Sequence, residues 1–147
     1  MKRLLISTFV VVALLTIIPM PKSAEELPYT EGSVWEMTFI RTLPGGYDAY
    51  MKFLQTEFKQ VNEAAKKEGL ILSYQVGTSP LANKEDWDIV LMIEYKNMAA
   101  LDGLEEKARD VAEKVAGSSQ KQEERSKERG KIREVLGTKI VRQLKLK

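Results

Sequence analysis

Along this chain the spacing of apolar residues switches between two and about 3.6, and the order of these switches constrains the fold more than any other feature. Residues 33–42 alternate, with Trp35, Met37 and Phe39 on one side, which predicts a first strand. A Gly-Gly break follows, and Gly69 ends the next segment in the position of a left-handed helix cap. Between the two breaks, a stripe with spacings of three and four residues predicts an amphipathic helix: Tyr47, Met51, Leu54, Phe58, Val61 and Ala65.

The second half of the chain continues this order. Residues 70–76 and 86–96 alternate and predict a second and a third strand, joined by a connection longer than a usual hairpin loop. Asn97 is a suitable N-cap for a second helix. The mixed-charge stretch 118–134 predicts a solvated helix or a mobile loop, and residues 139–146 predict a fourth strand. The stripe of the second helix again has spacings of three and four: Met98, Leu101, Leu104, Ala108, Val111 and Val115.

Strand, helix, strand, strand, helix, strand is the split βαβ order, in which right-handed crossovers place both helices on one face of an antiparallel sheet. The predicted fold class is therefore α+β, a ferredoxin-like βαββαβ unit with the spatial strand order four-one-three-two. We expect Trp35 and Trp87, on the two central strands, to lie under the helices. The opposite face is then too apolar to leave in water, so we expect a second copy of the sheet to cover it. Its apolar residues are Val34, Ile40, Val90 and Met92.

Three short segments carry a resemblance to a known family: 35–39 (WEMTF), 86–91 (DWDIVL) and 97–101 (NMAAL). Together with the element order they make residues 33–146 similar to the dimeric α+β barrel superfamily. That superfamily includes antibiotic-biosynthesis-type monooxygenases, stress-responsive barrel proteins and secreted members. The resemblance implies a ferredoxin-like protomer that forms a homodimer, with the two sheets enclosing a central cavity. Branches that hold haem through His are not implied, because this chain contains no His.

The N-terminus has the composition of an export signal. Lys2 and Arg3 precede fifteen uncharged, mostly apolar residues, 4–18. As a helix these would cover about 22 Å, less than the ~30 Å hydrocarbon core of a bilayer. We therefore predict a signal peptide at 1–24, a leader at 25–32 and the barrel domain at 33–147, which gives an extracytoplasmic protein, periplasmic or secreted. Lys22, at the third position before the predicted cleavage, leaves an uncleaved N-terminal anchor as the alternative, the only predicted contact with a membrane.

Charge and composition exclude several classes of function. The chain has 23 Lys and Arg against 21 Asp and Glu, a net charge of +2. Lys2, Arg3 and Lys22 are the only charged residues before residue 25, so without them the balance is 20 against 21, a net −1. A nearly neutral domain lacks the positive field that drives nucleic-acid binding. The absence of Cys and His excludes disulfide scaffolds, thiolate nucleophiles, Ser-His triads and the usual zinc sites. We predict no metal and no cofactor.

Two carboxylates are candidate catalytic residues. Glu36 lies near the start of the first strand and Glu94 near the end of the third. If these strands are antiparallel neighbours, we expect both side chains to come close together on the face away from the helices. Repulsion in a partly dry cavity would raise the pKa of one and give an acid–base pair. The alternative is that both are solvated at the rim of the sheet, or paired with Lys145 or Arg142.

A second set of side chains is predicted to line the cavity and bind a ligand. These are Thr38, Ser73, Gln75, Val90, Met92 and Gln143. The alternative role of this set is to line a dimer interface. The sequence thus predicts an exported homodimeric barrel that binds a small, partly apolar molecule without metal or haem. One alternative is a cofactor-independent oxygenase or isomerase on the same scaffold. The other is a non-catalytic structural or interaction protein of the cell envelope.

Overall fold

Four antiparallel strands form one sheet in the computed structural model, which describes residues 26–147. The spatial order is β2-β3-β1-β4, so β1 and β3 are central, as predicted. The α+β, ferredoxin-like arrangement of strands and helices is thereby confirmed. The predicted signal peptide, 1–24, lies outside the described residues. The strands are β1 (Tyr29–Thr42), β2 (Ser73–Thr78), β3 (Ile89–Tyr95) and β4 (Arg133–Leu146).

The first crossover is one long helix with a π-helical turn in its middle. It consists of α1 (Tyr47–Phe53), the π-helical turn Leu54–Phe58 and α2 (Lys59–Lys67). Gly69 follows with a φ of 71°, a left-handed conformation that glycine adopts without steric cost. Its N–H donates to the carbonyl of Lys66, which closes the last turn. The helix therefore ends where the sequence predicts.

The second crossover is divided into three pieces. Asn97 caps a short 3₁₀ helix, Met98–Leu101, and its side chain accepts the Ala100 N–H at 3.1 Å. Gly103, with a φ of 64°, turns the chain before α3 (Leu104–Ala116) begins. The charged stretch forms a fourth helix, α4 (Ser119–Arg129). Among residues 26–147, no helix has the length and apolar character to cross a bilayer.

β1 and β4 are longer than their sequence patterns indicate. Each has 14 residues, because β4 begins at Arg133 rather than 139 and β1 includes part of the predicted leader. Two shifts interrupt their pairing. At one, Gly32 and Ser33 lie opposite Gln143 alone, and at the other Leu136 is the extra residue on β4. Such bulges interrupt the alternation of side chains. A strand that contains one is therefore not recognised over its full length from alternating apolar and polar residues.

The core lies between the sheet and the helices. On the sheet side its fully buried residues are Val34 and Ile40 of β1 and Ile89 and Tyr95 of β3, and we call this surface the helix face. The helices contribute most of the remaining buried side chains to the two core clusters, Ile71 before β2 contributes another, and Tyr50 has no exposed surface. From the helices these are Tyr50, Leu54, Ala65 and Val111.

The prediction that Trp35 and Trp87 lie under the helices is wrong. In the register of β1 with β3, Val34 pairs with buried Tyr95, so Val34 faces the helices and Trp35 points the other way. β1 is apolar on both sides, and alternation alone does not say which side is inside. We call the surface away from the helices the open face. It carries Trp35, Met37, Phe39, Trp87, Val90 and Met92.

Candidate functional site

The open face is a largely apolar surface that no described helix covers. Side chains of α1, α2 and α3 pack on the helix face, and α4 contacts α3. Trp87 packs on Phe39 with ring centroids 5.4 Å apart, which holds both rings at one end of the face. Trp35, Met37 and Met92 are only partly buried. Large half-exposed apolar patches of this kind mark contact or binding surfaces in folded proteins.

Two adjacent hollows lie on this face. The central hollow has a volume of about 340 Å³, and the one beside Trp87 has about 250 Å³. The walls of the central hollow are apolar, with two side-chain amides at the rim. It is lined by Trp35, Met37, Gln75, Met92, Val141 and Gln143. A pocket that combines apolar walls with a few polar groups suits a small organic molecule.

A third hollow, of about 570 Å³, lies at the end of the sheet around Glu94. The Ser73 hydroxyl donates to the Glu94 carboxylate at 2.6 Å. Hydrogen bonds from Ser73 and Ser33 hold the pKa of Glu94 below its usual value, because they stabilise the ionised form. Lys96 and Lys145 also line this hollow. Glu31 and Arg142, which are paired with each other, complete the charged lining of the third hollow.

Glu36 and Glu94 do not form the predicted pair. β1 pairs Trp35 with Glu94 and Glu36 with Ile93, so the two carboxylates lie on opposite faces of the sheet. Glu36 is on the helix face, where it accepts a hydrogen bond of 3.1 Å from the Tyr95 hydroxyl. The expected repulsion between them is also wrong, since the pKa of Glu94 is lowered rather than raised. Glu36 lies opposite Ile93, the residue next to Glu94, and successive residues of a strand point to opposite faces of the sheet. The two carboxylates are therefore near each other along the strands but are separated by the sheet.

Five of the six predicted ligand-binding residues share the open face. Ser73 pairs with Glu94, Gln75 with Met92, and Val90 with Phe39. Gln143 lies at the first bulge, where its side chain packs on Gly32. Their roles as ligand contacts stay predictions.

The placement of Thr38 on the open face is wrong. Thr38 pairs with Leu91 on the helix face, and its hydroxyl oxygen lies 3.0 Å from that of Thr138. The alternation along β1 correctly places Thr38 on the same side as Val34. That side is the one that the helices cover.

Several residues of the open face were missed by the sequence prediction. The sequence pattern places Trp35, Met37 and Phe39 in the core, and it does not single out Ser33, Lys139 or Val141. The pairing of β1 with β3 is the signal that identifies these residues. One side of β3, with Ile89, Leu91 and Ile93, is wholly apolar. Residues directly opposite one another in antiparallel strands share a face, so that side fixes the phase of β1. Within residues 26–147, no group of three or more acidic residues is arranged to hold a metal ion.

Comparisons with known proteins add only a distant structural likeness. No family model matches this sequence, and no curated protein matches it. Among solved structures, the crystal structure of HapK from Hahella chejuensis resembles it with 14% sequence identity and a TM-score of 0.49. The likeness covers 75% of this chain and 91% of HapK.

Proposed function

We propose that this chain is an exported member of the dimeric α+β barrel superfamily that binds a small, partly apolar molecule between two copies of its sheet. The observation that carries the proposal is the open face, where Trp35, Met37, Phe39 and Trp87 have no covering helix. A second copy of the same face is a cover of matching shape and polarity. Two sheets pack face to face at about 10 Å, which leaves room for the hollows between them.

The chemistry of the open face supports an amphipathic ligand. Its central hollow offers an indole and two thioethers to an apolar body. Gln75 and Gln143 supply amides at the rim, and Glu94 supplies an anion at the end. A hydrogen-bond donor on the ligand, such as an amine or a hydroxyl, is complementary to Glu94. Ligand pockets in proteins have volumes of about 300–1,000 Å³, and two copies of the central hollow would fall in that range.

Dimerisation through the open face is tested by native mass spectrometry at micromolar concentration. The Met37→Lys variant places a charge in the proposed interface, and we expect it to be monomeric. Val115→Lys is the matched control, because Val115 has a similar apolar side chain exposed on α3, away from the open face. A monomeric wild-type protein, or a Met37→Lys variant that dimerises like the control, contradicts the proposal.

Ligand binding is tested through the two tryptophans. Trp35 and Trp87 are the only tryptophans of the chain, so intrinsic fluorescence reports on the open face. We expect the apolar dye 1-anilinonaphthalene-8-sulfonate to bind saturably and to receive energy from them. A Gln75→Ala variant should weaken the binding, whereas the exposed Gln120→Ala should not. A stable dimer that excludes the dye would instead favour the structural or interaction protein of the cell envelope.

If the chain is exported and the predicted signal peptide 1–24 is removed, the mature protein begins at Glu25. N-terminal sequencing of the protein from the extracytoplasmic fraction tests this. A full-length chain in the membrane fraction would favour the uncleaved anchor. The oxygenase or isomerase alternative with two carboxylates is not proposed, because Glu36 and Glu94 lie on opposite faces.

A further inference from the structure

Two arginines contact one carboxylate where α4 packs against the π-helical turn, and a third arginine lies beside them. Arg125 and Arg129 project from α4, and Arg133 begins β4. The Arg125 Nε lies 2.9 Å from Glu57, and an Arg129 Nη lies 3.5 Å from the same carboxylate. Arg129 is only 16% exposed, so its charge is largely removed from water. Burial, together with Arg133 and Arg125 nearby, lowers the pKa of Arg129.

Two arginines share a single carboxylate in this cluster within the described part of the chain. Glu128 also lies beside this cluster, but it is paired with Lys131 at 2.7 Å. Glu57 is therefore the one carboxylate in contact with Arg125 and Arg129 among residues 26–147. The Nε atoms of Arg129 and Arg133 are buried without a hydrogen-bond partner among the described residues, whereas the Arg125 Nε has the Glu57 carboxylate at 2.9 Å. Buried donors of this kind normally have a partner.

A hollow of about 370 Å³ opens beside this cluster. Phe53 and Ile132 form its apolar wall, and its charged lining consists of Lys52, Arg125 and Arg129 together with the paired carboxylates Glu57 and Glu128. The Arg129 guanidinium lies 4.3 Å from the centroid of the Phe53 ring, which fixes its plane. The π-helical turn brings Thr56 and Glu57 to the same hollow, and such turns are frequent at functional sites.

We infer that this hollow between α1 and α4 binds a small organic anion, with its carboxylate or phosphate group on Arg125 and Arg129 and its apolar body against Phe53 and Ile132. A guanidinium group binds the oxygens of either anion with two parallel hydrogen bonds. The bound anion would supply the negative charge that the cluster lacks. The hollow lies on the helix side of the sheet, so this site is separate from the open face and does not depend on its dimerisation.

Titration calorimetry of the full-length protein at low ionic strength tests the inference, with phenyl phosphate, benzoate and inorganic phosphate as probes. We expect saturable binding, tighter for phenyl phosphate than for inorganic phosphate because of the apolar wall. If benzoate binds as tightly as phenyl phosphate, the site accepts carboxylates, and if it binds more weakly, the site is specific for phosphate. Absence of saturable binding with all three probes overturns the inference.

Matched variants locate the site. Arg125→Gln removes a side chain that is 41% exposed, so the fold should tolerate it, and we expect affinity to fall about tenfold or more. Lys127→Gln is the control: it lies on the same helix, loses the same charge and is 71% exposed. We expect it to change affinity by less than about twofold. Glu57→Gln removes the internal competitor and should tighten binding. Equal losses in Arg125→Gln and Lys127→Gln would show a non-specific charge effect and overturn the site, with circular dichroism checking that each variant is folded.

Discussion

The two faces of the sheet are built from the same strands but differ in what covers them. On the helix face, Val34, Ile40 and Ile89 are at most 1% exposed, because the crossover helices pack directly on them. On the open face, Trp35 and Met37 are comparably apolar yet remain partly exposed. An apolar strand side therefore does not by itself show that the helices of the same chain cover it.

The two glutamates give the same contrast in polar terms. Glu36 lies on the helix face, where the buried Tyr95 hydroxyl donates to it. Glu94 lies on the open face and accepts from Ser73, next to a hollow that reaches the surface. One carboxylate is part of the internal packing, and the other is available to a ligand. Adjacent positions in paired strands thus have different roles because the sheet separates them.

The largest expected effect compares two residues of β3 that point to opposite faces. Ile89→Ala leaves a cavity under the helices and should lower the free energy of unfolding by about 2–5 kcal/mol. Met92→Ala removes a half-buried side chain from the open face and should cost about 1 kcal/mol in the monomer. Urea denaturation at low protein concentration measures both values.

Protein concentration sharpens this test. If a second copy covers the open face, the cost of Met92→Ala should grow with concentration, because association stabilises the folded state by mass action. The cost of Ile89→Ala per chain should stay nearly constant. Equal costs for both variants at low concentration would contradict the distinction between the two faces.

The order of the elements could be predicted because each crossover helix has a clear apolar stripe between alternating strands. Gly69 and Asn97 mark helix boundaries through local chemistry, and the structure shows both in those roles. The start of β4 could not be predicted, because the bulge at Leu136 interrupts the alternation. Residues 133–138 also continue a charged stretch whose sequence is typical of a solvated segment.

The candidate site was predicted in part, and the errors share one cause. Ser73, Gln75 and Met92 are placed on the correct face. One side of β3 is purely apolar, which shows which residues of β3 face the helices, and the neighbouring strand β2 follows from it by pairing. Glu36 and Thr38 were misplaced because β1 is apolar on both sides. When both sides of a strand are apolar, its pairing with neighbouring strands shows which side faces the helices. That pairing is tertiary information, and the alternation of residues within one strand does not contain it.

A smaller effect is expected from Tyr95→Phe on the helix face. The change removes the hydrogen bond to Glu36 and should cost about 1–2 kcal/mol, since the acceptor is charged. Burial and the neighbouring Glu36 raise the pKa of Tyr95 above its usual 10.0. Its contribution to stability is therefore complete below pH 10 and is lost as the pH rises through the folded-state pKa.

Denaturation of Tyr95→Phe at pH 8 and pH 11 checks this sign. The wild-type protein should lose more stability between these pH values than the variant. Tyr74→Phe should show the same kind of effect with a different carboxylate, because burial and a hydrogen bond to Glu63 raise the pKa of Tyr74 to about 12. A Tyr95→Phe variant with the wild-type pH dependence would show that the hydroxyl is not held by Glu36.

The smallest expected effect lies on the open face, at Ser73→Ala. Loss of this hydroxyl should move the pKa of Glu94 upward toward its usual value, as measured by NMR titration of the side-chain carboxyl. Because the folded-state pKa is lowered, the contribution of Glu94 to stability is present above its unfolded pKa and is lost as the pH falls through the folded one. Ser79→Ala, whose hydroxyl bonds to the Pro80 carbonyl, should leave the titration unchanged.

Closure of the open face by a second copy would remove water from Glu94 and raise its pKa, in the same direction as the loss of Ser73. Titrating the wild-type protein at low and high concentration therefore separates the two causes, and a pKa that does not depend on concentration would contradict burial of Glu94 in a dimer.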